Sequence, residues 1–418
     1  MSRPSLQDAS AIPLGPSIAD ASQTSALFQT EDAIADGLRR REKKERQLGD
    51  PIELPTKILC MTLAPRASPR HLIIEHRADG MCAQTGKTAK IYKGHAGPVT
   101  SVAAFYRYAE TAPGVREKKE LLLSGSWDKT LCLWDAQTKE PLLTLRGHTD
   151  FIKAIALGKD HLAGGQDGHP TTAYSVSADG TARRWSLETG ACLAVYENEH
   201  RGQIESVTVT VGPDPTLDEA QAATAAIREW LWTAGTDGTV RCWDIDTGRC
   251  VATLSGHATS IFAVHASTSD GSGSDLWTAS ADKTARRWDL ATCSEDTSLE
   301  HPAAVRSVHT VGPYVVTGCR DEHVRVFDVA SGQLVATLEG HFDEIMSIAA
   351  HNGVLYTASL DSTIRRWPIA DIASGKYAQS DAAAPAGEEE AAAPRDSLLT
   401  EEEERELAEL LGDSDADE

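Results

Sequence analysis

A hydroxyl, an imidazole, a carboxylate and an aromatic ring recur together six times in the 418-residue chain. The sets are His95, Ser124, Asp128 and Trp134; His148, Ser175, Asp179 and Trp185; His200, Thr233, Asp237 and Trp243; His257, Thr278, Asp282 and Trp288; His301, Thr317, Asp321 and Phe327; and His341, Thr357, Asp361 and Trp367. Ser, His and Asp are the side chains of a nucleophile, its base and the group that orients the base, so acyl transfer is the first chemistry to weigh. A triad is needed once, with its nucleophile exposed beside an oxyanion hole. Here the Ser or Thr stands four residues before the Asp, and the aromatic six after it, in every set. That regularity assigns the residues to the framework of a repeated unit. The chain has no G-x-S-x-G, no P-loop and no H-E-x-x-H. No enzymatic activity, metal or cofactor is expected.

The elements that must carry these residues are short strands. Each set begins at a Gly-His or Glu-His pair, and successive pairs lie 40 to 57 residues apart. Downstream come SGSWDKTLCLWD (124–135), SVSADGTARRWS (175–186), TAGTDGTVRCWD (233–244), TASADKTARRWD (278–289), TGCRDEHVRVFD (317–328) and TASLDSTIRRWP (357–368). Apolar or alternating runs flank Asp-Gly, Asp-Lys or Asp-Ser, which favour tight turns. A small twisted sheet of this kind cannot bury both faces alone; several around one axis cover one another.

With Gly-His near the start of the unit and Trp-Asp at its end, residues 57–370 resemble the WD40-repeat family. The resemblance implies an all-β fold: a seven-bladed WD40 β-propeller with flexible, partly helical N- and C-terminal tails. It also implies that each set is a buried hydrogen-bonded tetrad, running from Trp to Ser or Thr to His to Asp. The chemistry suits that role, since an indole N–H only donates, a hydroxyl does both and a carboxylate only accepts. Phe327 has no N–H, so the fifth unit is expected to be weaker. Residues 94–370 supply six units. Residues 57–93 are read as a degenerate first blade without Gly-His or Trp-Asp, and six blades is the alternative. Ring closure is expected to use a strand just before Lys57 or just after Ile372. Pro51 and Pro55 count against the first choice.

The resemblance places the exposed face at the residue before each Asp: Trp127, Ala178, Thr236, Ala281, Arg320 and Leu360. It adds residues three and five after each His: Phe151, Lys153, Gln203, Glu205, Phe262, Ala304, Arg306, Glu344 and Met346. Aromatics and Arg dominate binding hot spots, which singles out Trp127, Phe151, Phe262, Arg306 and Arg320 as partner-binding candidates. Arg184, Arg287 and Arg366 stand just before a blade Trp. They read either as stems packed with heads reaching an acid, or as a basic stripe for an acidic ligand.

The formal net charge is −22. Residues 377–418 hold 15 acidic and 2 basic side chains, so much of the excess is in a tail. Direct nucleic-acid binding is not expected from this balance. No apolar run of membrane-spanning length occurs, and the N-terminus has no secretory apolar region. The eight cysteines, with no C-x-x-C pair, read as reduced thiols. The expected organisation is a tail over 1–50 with a charged helix from Thr30 to about Gln47, a propeller over 51–375, and an acidic linker and short helix over 376–418. Thr400 and Glu403 have capping-box spacing. Leu407, Leu410 and Leu411 share a helical face that reads as a partner-docking motif. Residues 107–119, 158–171 and 211–229 read as enlarged loops between first and second strands, with a helix over 216–229.

These features point to a non-enzymatic protein–protein interaction scaffold in a cytoplasmic or nuclear complex, a monomeric propeller among other proteins or peptides. The alternatives are a substrate receptor of a ubiquitin ligase, disfavoured because no Trp-Asp-x-Arg occurs, and a chromatin or RNA-processing factor that binds basic tails.

Overall fold

The computed structural model describes residues 48–377, except 55, 64–71, 77–78, 84–91, 113–114, 159–168, 216, 218–224 and 268–274, together with residues 38, 40, 41 and 43. The C-terminal helix with Leu407, Leu410 and Leu411, the linker before it and residues 1–37 lie outside the described residues. So do most of the 158–171 loop and of the expected 216–229 helix. Residues 38, 40, 41 and 43 are helical.

The described residues form an all-β propeller. In chain order the strands are β1 (Ile52–Glu53), then β2 (Cys60–Leu63), β3 (Leu72–His76) and β4 (Asp79–Ala83). The first blade is β5 (Val99–Ala112), β6 (Val115–Ser126), β7 (Thr130–Asp135) and β8 (Pro141–Arg146). The second is β9 (Ile152–Leu157), β10 (Thr172–Ser177), β11 (Ala182–Ser186) and β12 (Cys192–Tyr196). The third is β13 (Ile204–Gly212), β14 (Arg228–Gly235), β15 (Thr239–Asp244) and β16 (Cys250–Ser255). The fourth is β17 (Ile261–Ala266), β18 (Asp275–Ser280), β19 (Thr284–Asp289) and β20 (Ser294–Glu300). The fifth is β21 (Val305–Val311), β22 (Tyr314–Cys319), β23 (Val324–Asp328) and β24 (Leu334–Leu338). The sixth takes β25 (Ile345–His351), β26 (Val354–Ser359) and β27 (Thr363–Pro368), with β1 as its outer strand. Helix α1 (Ile369–Ala373) follows.

Among the described residues there are thus six four-stranded blades, not the seven expected, and one three-stranded sheet, β2–β3–β4. The three-stranded sheet comes from residues 57–93, which lack the Gly-His and Trp-Asp of the other units. Its β2 end packs on both sides: Ile58 and Met61 join Ile52, Ala349 and Ile364, and Cys60 packs against the cluster of Tyr92, Val102 and Trp134. Apolar clusters likewise bridge consecutive blades. Phe105, Leu121 and Leu133 of the first meet Ile152, Ala173 and Trp185 of the second.

This packing explains the sequence pattern. A middle strand is covered on both faces by its neighbours, so β7 is buried throughout as Thr-Leu-Cys-Leu-Trp-Asp. An outer strand faces water, so β8 is mostly exposed. Full burial of one large apolar side chain contributes roughly 1.5–3 kcal/mol, and Trp134, Trp185, Trp243, Trp288 and Trp367 are all essentially buried.

Ring closure uses the option that the prolines counted against. Ile52 pairs with Ile364 and Glu53 with Thr363, and the Leu54 N–H donates to the Ser362 carbonyl. Pro51 and Pro55 flank a two-residue edge strand, where missing N–H groups leave no ladder bond unmade. Residues 107–119 are not a loop; they continue the β5–β6 hairpin out to Ala112 opposite Val115. Residues 228–229 belong to β14, so the expected helix cannot reach them.

Candidate functional site

Five of the six sets close as hydrogen-bonded tetrads. In the fourth blade Trp288 Nε1 donates to Thr278 Oγ1 at 2.9 Å, Thr278 meets His257 Nε2 at 2.7 Å, and His257 Nδ1 meets Asp282 Oδ2 at 2.8 Å. Trp134–Ser124–His95–Asp128, Trp185–Ser175–His148–Asp179, Trp243–Thr233–His200–Asp237 and Trp367–Thr357–His341–Asp361 are joined in the same order. The hydroxyls of Ser124, Ser175, Thr233, Thr278 and Thr357 are inaccessible or nearly so, which denies them to any substrate.

Two further donors hold each carboxylate. The N–H after the His binds it in Ala96, Thr149, Arg201, Ala258 and Phe342. A Thr two residues after the Asp donates its hydroxyl in Thr130, Thr181, Thr239, Thr284 and Thr363. Burial alone would raise the carboxylate pKa, but these donors outweigh it and hold Asp282 at about 2. Asp128, Asp179, Asp237 and Asp361 are also shifted below the usual range, against burial and by their own hydrogen-bond donors.

The fifth set departs from expectation by more than Phe327. His301 keeps Thr317 at 2.9 Å, but its Nδ1 turns to the Leu299 carbonyl at 3.0 Å. Asp321 instead accepts two hydrogen bonds from Arg325, at 3.2 and 2.7 Å. The residue after His301 is Pro302, which has no N–H, and His323 replaces the Thr two after the Asp. Both anchoring donors are missing, so the carboxylate leaves the histidine. Burial pushes His301 down to about 4.

The same local geometry builds a second set of residues at one mouth of the central channel. In all six blades the N–H of the residue before the Asp donates to the carbonyl three residues after the His: Trp127 to Pro98, Ala178 to Phe151, Thr236 to Gln203, Ala281 to Ser260, Arg320 to Ala304 and Leu360 to Glu344. The inner strands then slip register by one residue. The residue in the bulge is Thr100, Lys153, Glu205, Phe262, Arg306 or Met346, and each lines the channel. A β-bulge re-aims a side chain out of the pleat, which is how the fifth residue after each His comes to face the axis.

The channel encloses about 500 Å³ and takes wall residues from all six blades and from β2. Around its mouth, side-chain contacts cross four of the blade boundaries. Trp127 stacks on Phe151, with centroids 5.1 Å apart and an interplanar angle of 20°. Lys153 pairs with Glu205 at 2.9 Å. Arg306 stands over the Phe262 ring at 4.2 Å. Arg306 and Arg320 both approach Glu344, at 3.5 and 2.8 Å. All five candidates therefore lie at this mouth, in two groups. Deeper in the wall, His265 and His309 place their rings 4.4 Å apart. Sequence reasoning missed this pair. Each is eight residues after its unit's His, a spacing that one alignment of the two units exposes.

Of the three arginines before a blade Trp, Arg287 pairs with Asp275 and Asp296, and Arg366 with Asp50. That agrees with heads reaching acids. Arg184 lies opposite Tyr174 in the sheet. Among the described residues there is no cluster of three or more His, Cys, Asp or Glu that could hold a metal, and no helix is long and apolar enough to cross a membrane. The seven cysteines whose side chains are described are free thiols.

A family model for the WD domain, G-beta repeat, matches residues 86–135, 294–328 and 332–368. An uncharacterized WD repeat-containing protein of Schizosaccharomyces pombe is 30% identical over 406 residues, 93% of this chain and 98% of that protein. The nuclear distribution protein nudF of Aspergillus niger is 27% identical over 295 residues, 68% of this chain and 53% of its own length. A probable E3 ubiquitin ligase complex SCF subunit, sconB of Aspergillus clavatus, is 27% identical over 183 residues, 34% of this chain and 23% of its own. The chain thus spans nearly all of the first relative, about half of the second and a quarter of the third.

Proposed function

From a chain that belongs to the WD repeat family, we propose a non-enzymatic scaffold that holds partner proteins or peptides at the channel mouth. The carrying observation is the Trp127–Phe151 plate: two large aromatic residues, 43% and 40% exposed, stacked on each other at the rim of a channel. Rigid, exposed aromatics beside arginines are the side chains that anchor interfaces. The tetrad hydroxyls and imidazoles are used in holding each blade, so no catalytic role is assigned to them.

In this reading the three-stranded sheet is a degenerate seventh sector of the ring. The propeller is a monomer within a hetero-complex in the cytoplasm or nucleus, and Leu407, Leu410 and Leu411 offer a second, tethered docking element. Direct nucleic-acid binding gains little support at the mouth, where Lys153 is paired with Glu205 and the two arginines share Glu344. The likeness to sconB covers only a third of this chain, so the ubiquitin-ligase reading gains no particular support from it.

The test is affinity capture of the full chain with mass spectrometry, beside a Trp127→Ala/Phe151→Ala variant of matched folding. The reading expects stoichiometric partners that the variant loses. Equal recovery by both places the binding surface elsewhere, and recovery of a cullin adaptor or of histones favours the corresponding alternative.

A further inference from the structure

Two arginines of the fourth blade each meet more than one carboxylate. Arg287 has two carboxylates, Asp275 and Asp296, and Arg286 also has two, Glu295 and Asp282. At the mouth the ratio is reversed. Glu344 is shared, with Oε1 at 2.8 Å from Arg320 and Oε2 at 3.5 Å from Arg306. The flanking charges do not relieve the excess. Asp343 is paired with Lys57 at 3.9 Å and Glu205 with Lys153 at 2.9 Å. One cationic charge is left over in a chain of net −22.

The geometry of the two guanidinium groups is that of a receptor. Arg306 is placed by the bulge and held over Phe262, its Cζ 4.2 Å from the ring centroid, so less rotamer freedom remains to be lost on binding. Its Nε has no hydrogen-bond acceptor among the described residues, and its contact with Glu344 is an ion pair without hydrogen-bond geometry. Arg320 comes from the next turn of the same blade, and its side chain is 68% exposed. Each guanidinium carries five donors, and one carboxylate cannot fill both forks. The Trp127–Phe151 plate lines the same mouth.

We propose that Arg306 and Arg320 form a carboxylate-binding subsite, with Glu344 as the internal anion that a ligand carboxylate joins or displaces. The occupant is an acidic segment of a partner protein that sets one Asp or Glu on this pair and an aromatic or aliphatic side chain on the Trp127–Phe151 plate. This rests on the reading that partners dock at the channel mouth.

The probe is a set of short capped, fluorescein-labelled peptides carrying one Trp and one Glu at varied spacing, each with a Gln counterpart, titrated into the full chain by anisotropy. The best Glu peptide is expected to bind about tenfold tighter than its Gln twin in low salt, and high salt should erase the difference. Arg306→Met, which keeps an apolar stem on Phe262, and Arg320→Gln should each abolish the discrimination. Glu344→Gln should do the opposite and tighten the Glu peptide several-fold, because it removes the competing charge. A merely structural Glu344 would not produce that gain. Glu and Gln peptides binding alike, weaker binding by Glu344→Gln, or no binding at all would overturn the subsite. If they bind alike and Trp127→Ala still weakens both, the docking face stands without the subsite. If Trp127→Ala changes nothing, the docking face falls as well.

Discussion

The Trp127 ring of the first blade lies against the Phe151 ring of the second, 5.1 Å between centroids, with both side chains more than a third exposed. The contact spans a blade boundary, yet neither ring is buried by it. Such pairs contribute roughly 0.5–1.5 kcal/mol beyond their area. With its half-buried area added, Trp127→Ala should cost no more than about 3 kcal/mol of folding stability, below the range for a fully buried Trp, measured by chemical denaturation. The same change should cost about 2 kcal/mol or more of partner affinity. A large loss of stability would make the pair a packing element.

Blade five can be repaired. Pro302→Ala restores the N–H after the histidine, His323→Thr restores the hydroxyl donor, and Phe327→Trp restores the indole. Together they should return Asp321 to His301 and add about 1–2 kcal/mol of stability. Histidine side-chain NMR reads the switch directly, as Nδ1–H of His301 moves from the Leu299 carbonyl to a carboxylate. Phe327→Trp alone should gain little, since Asp321 stays with Arg325.

Acid sensitivity follows from depressed pKa values of buried histidines and of tetrad carboxylates, of which His301 and Asp282 are examples. His301 is held at about 4 by burial, below the ordinary value of 6.5, so the unfolded chain binds the extra proton first as pH falls. Its contribution is whole above about pH 6.5 and is lost progressively down to about pH 4, with a slope of up to about 1.4 kcal/mol per pH unit. Asp282, at about 2, contributes fully above about pH 4 and loses that contribution as pH falls toward 2. His301→Gln should reduce the slope in the upper window, where His309, also held at about 4 by burial, still contributes, and leave the lower one. Urea midpoints across this range check both parts.

The N-terminal segment clasps the ring beyond β1. Lys43 Nζ lies 2.8 Å from Glu322 in the fifth blade, Arg365 donates to the Leu48 carbonyl, and Gly49 sits against the Trp367 ring. Removing residues 1–54 should strip Ile52 and Leu54 from their cluster, expose the β27 edge and promote aggregation. A double-mutant cycle on Lys43→Ala and Glu322→Ala should return a coupling of about 1 kcal/mol, since both side chains are mostly buried. Zero coupling would make the ion pair incidental to closure.

Much of this was legible because it repeats. The spacing of His, Ser or Thr, Asp and Trp located every blade and five tetrads, and the residue before each Asp located the mouth. Single events were harder to read. Pro302 and His323 announce the broken fifth tetrad, but only once the N–H and Thr donors around the other carboxylates are seen. Glu344 was one name in a ring of exposed positions, and nothing in the sequence says that two arginines from the neighbouring blade converge on it. The prolines count against ring closure by β1, yet an edge strand of two residues does not need the donors they lack. The β2–β3–β4 sheet comes from residues without Gly-His or Trp-Asp, so it left no motif to count.

The central claim is that partners dock on the channel mouth, and the direct measurement is the affinity of a captured partner for matched variants. Trp127→Ala should weaken binding by about 30-fold or more. A control such as Leu193→Ser on the outer strand β12, where the side chain is 53% exposed far from the axis, should leave it unchanged. Unchanged affinity in Trp127→Ala with a loss in Leu193→Ser would contradict the account and move the interface to the rim.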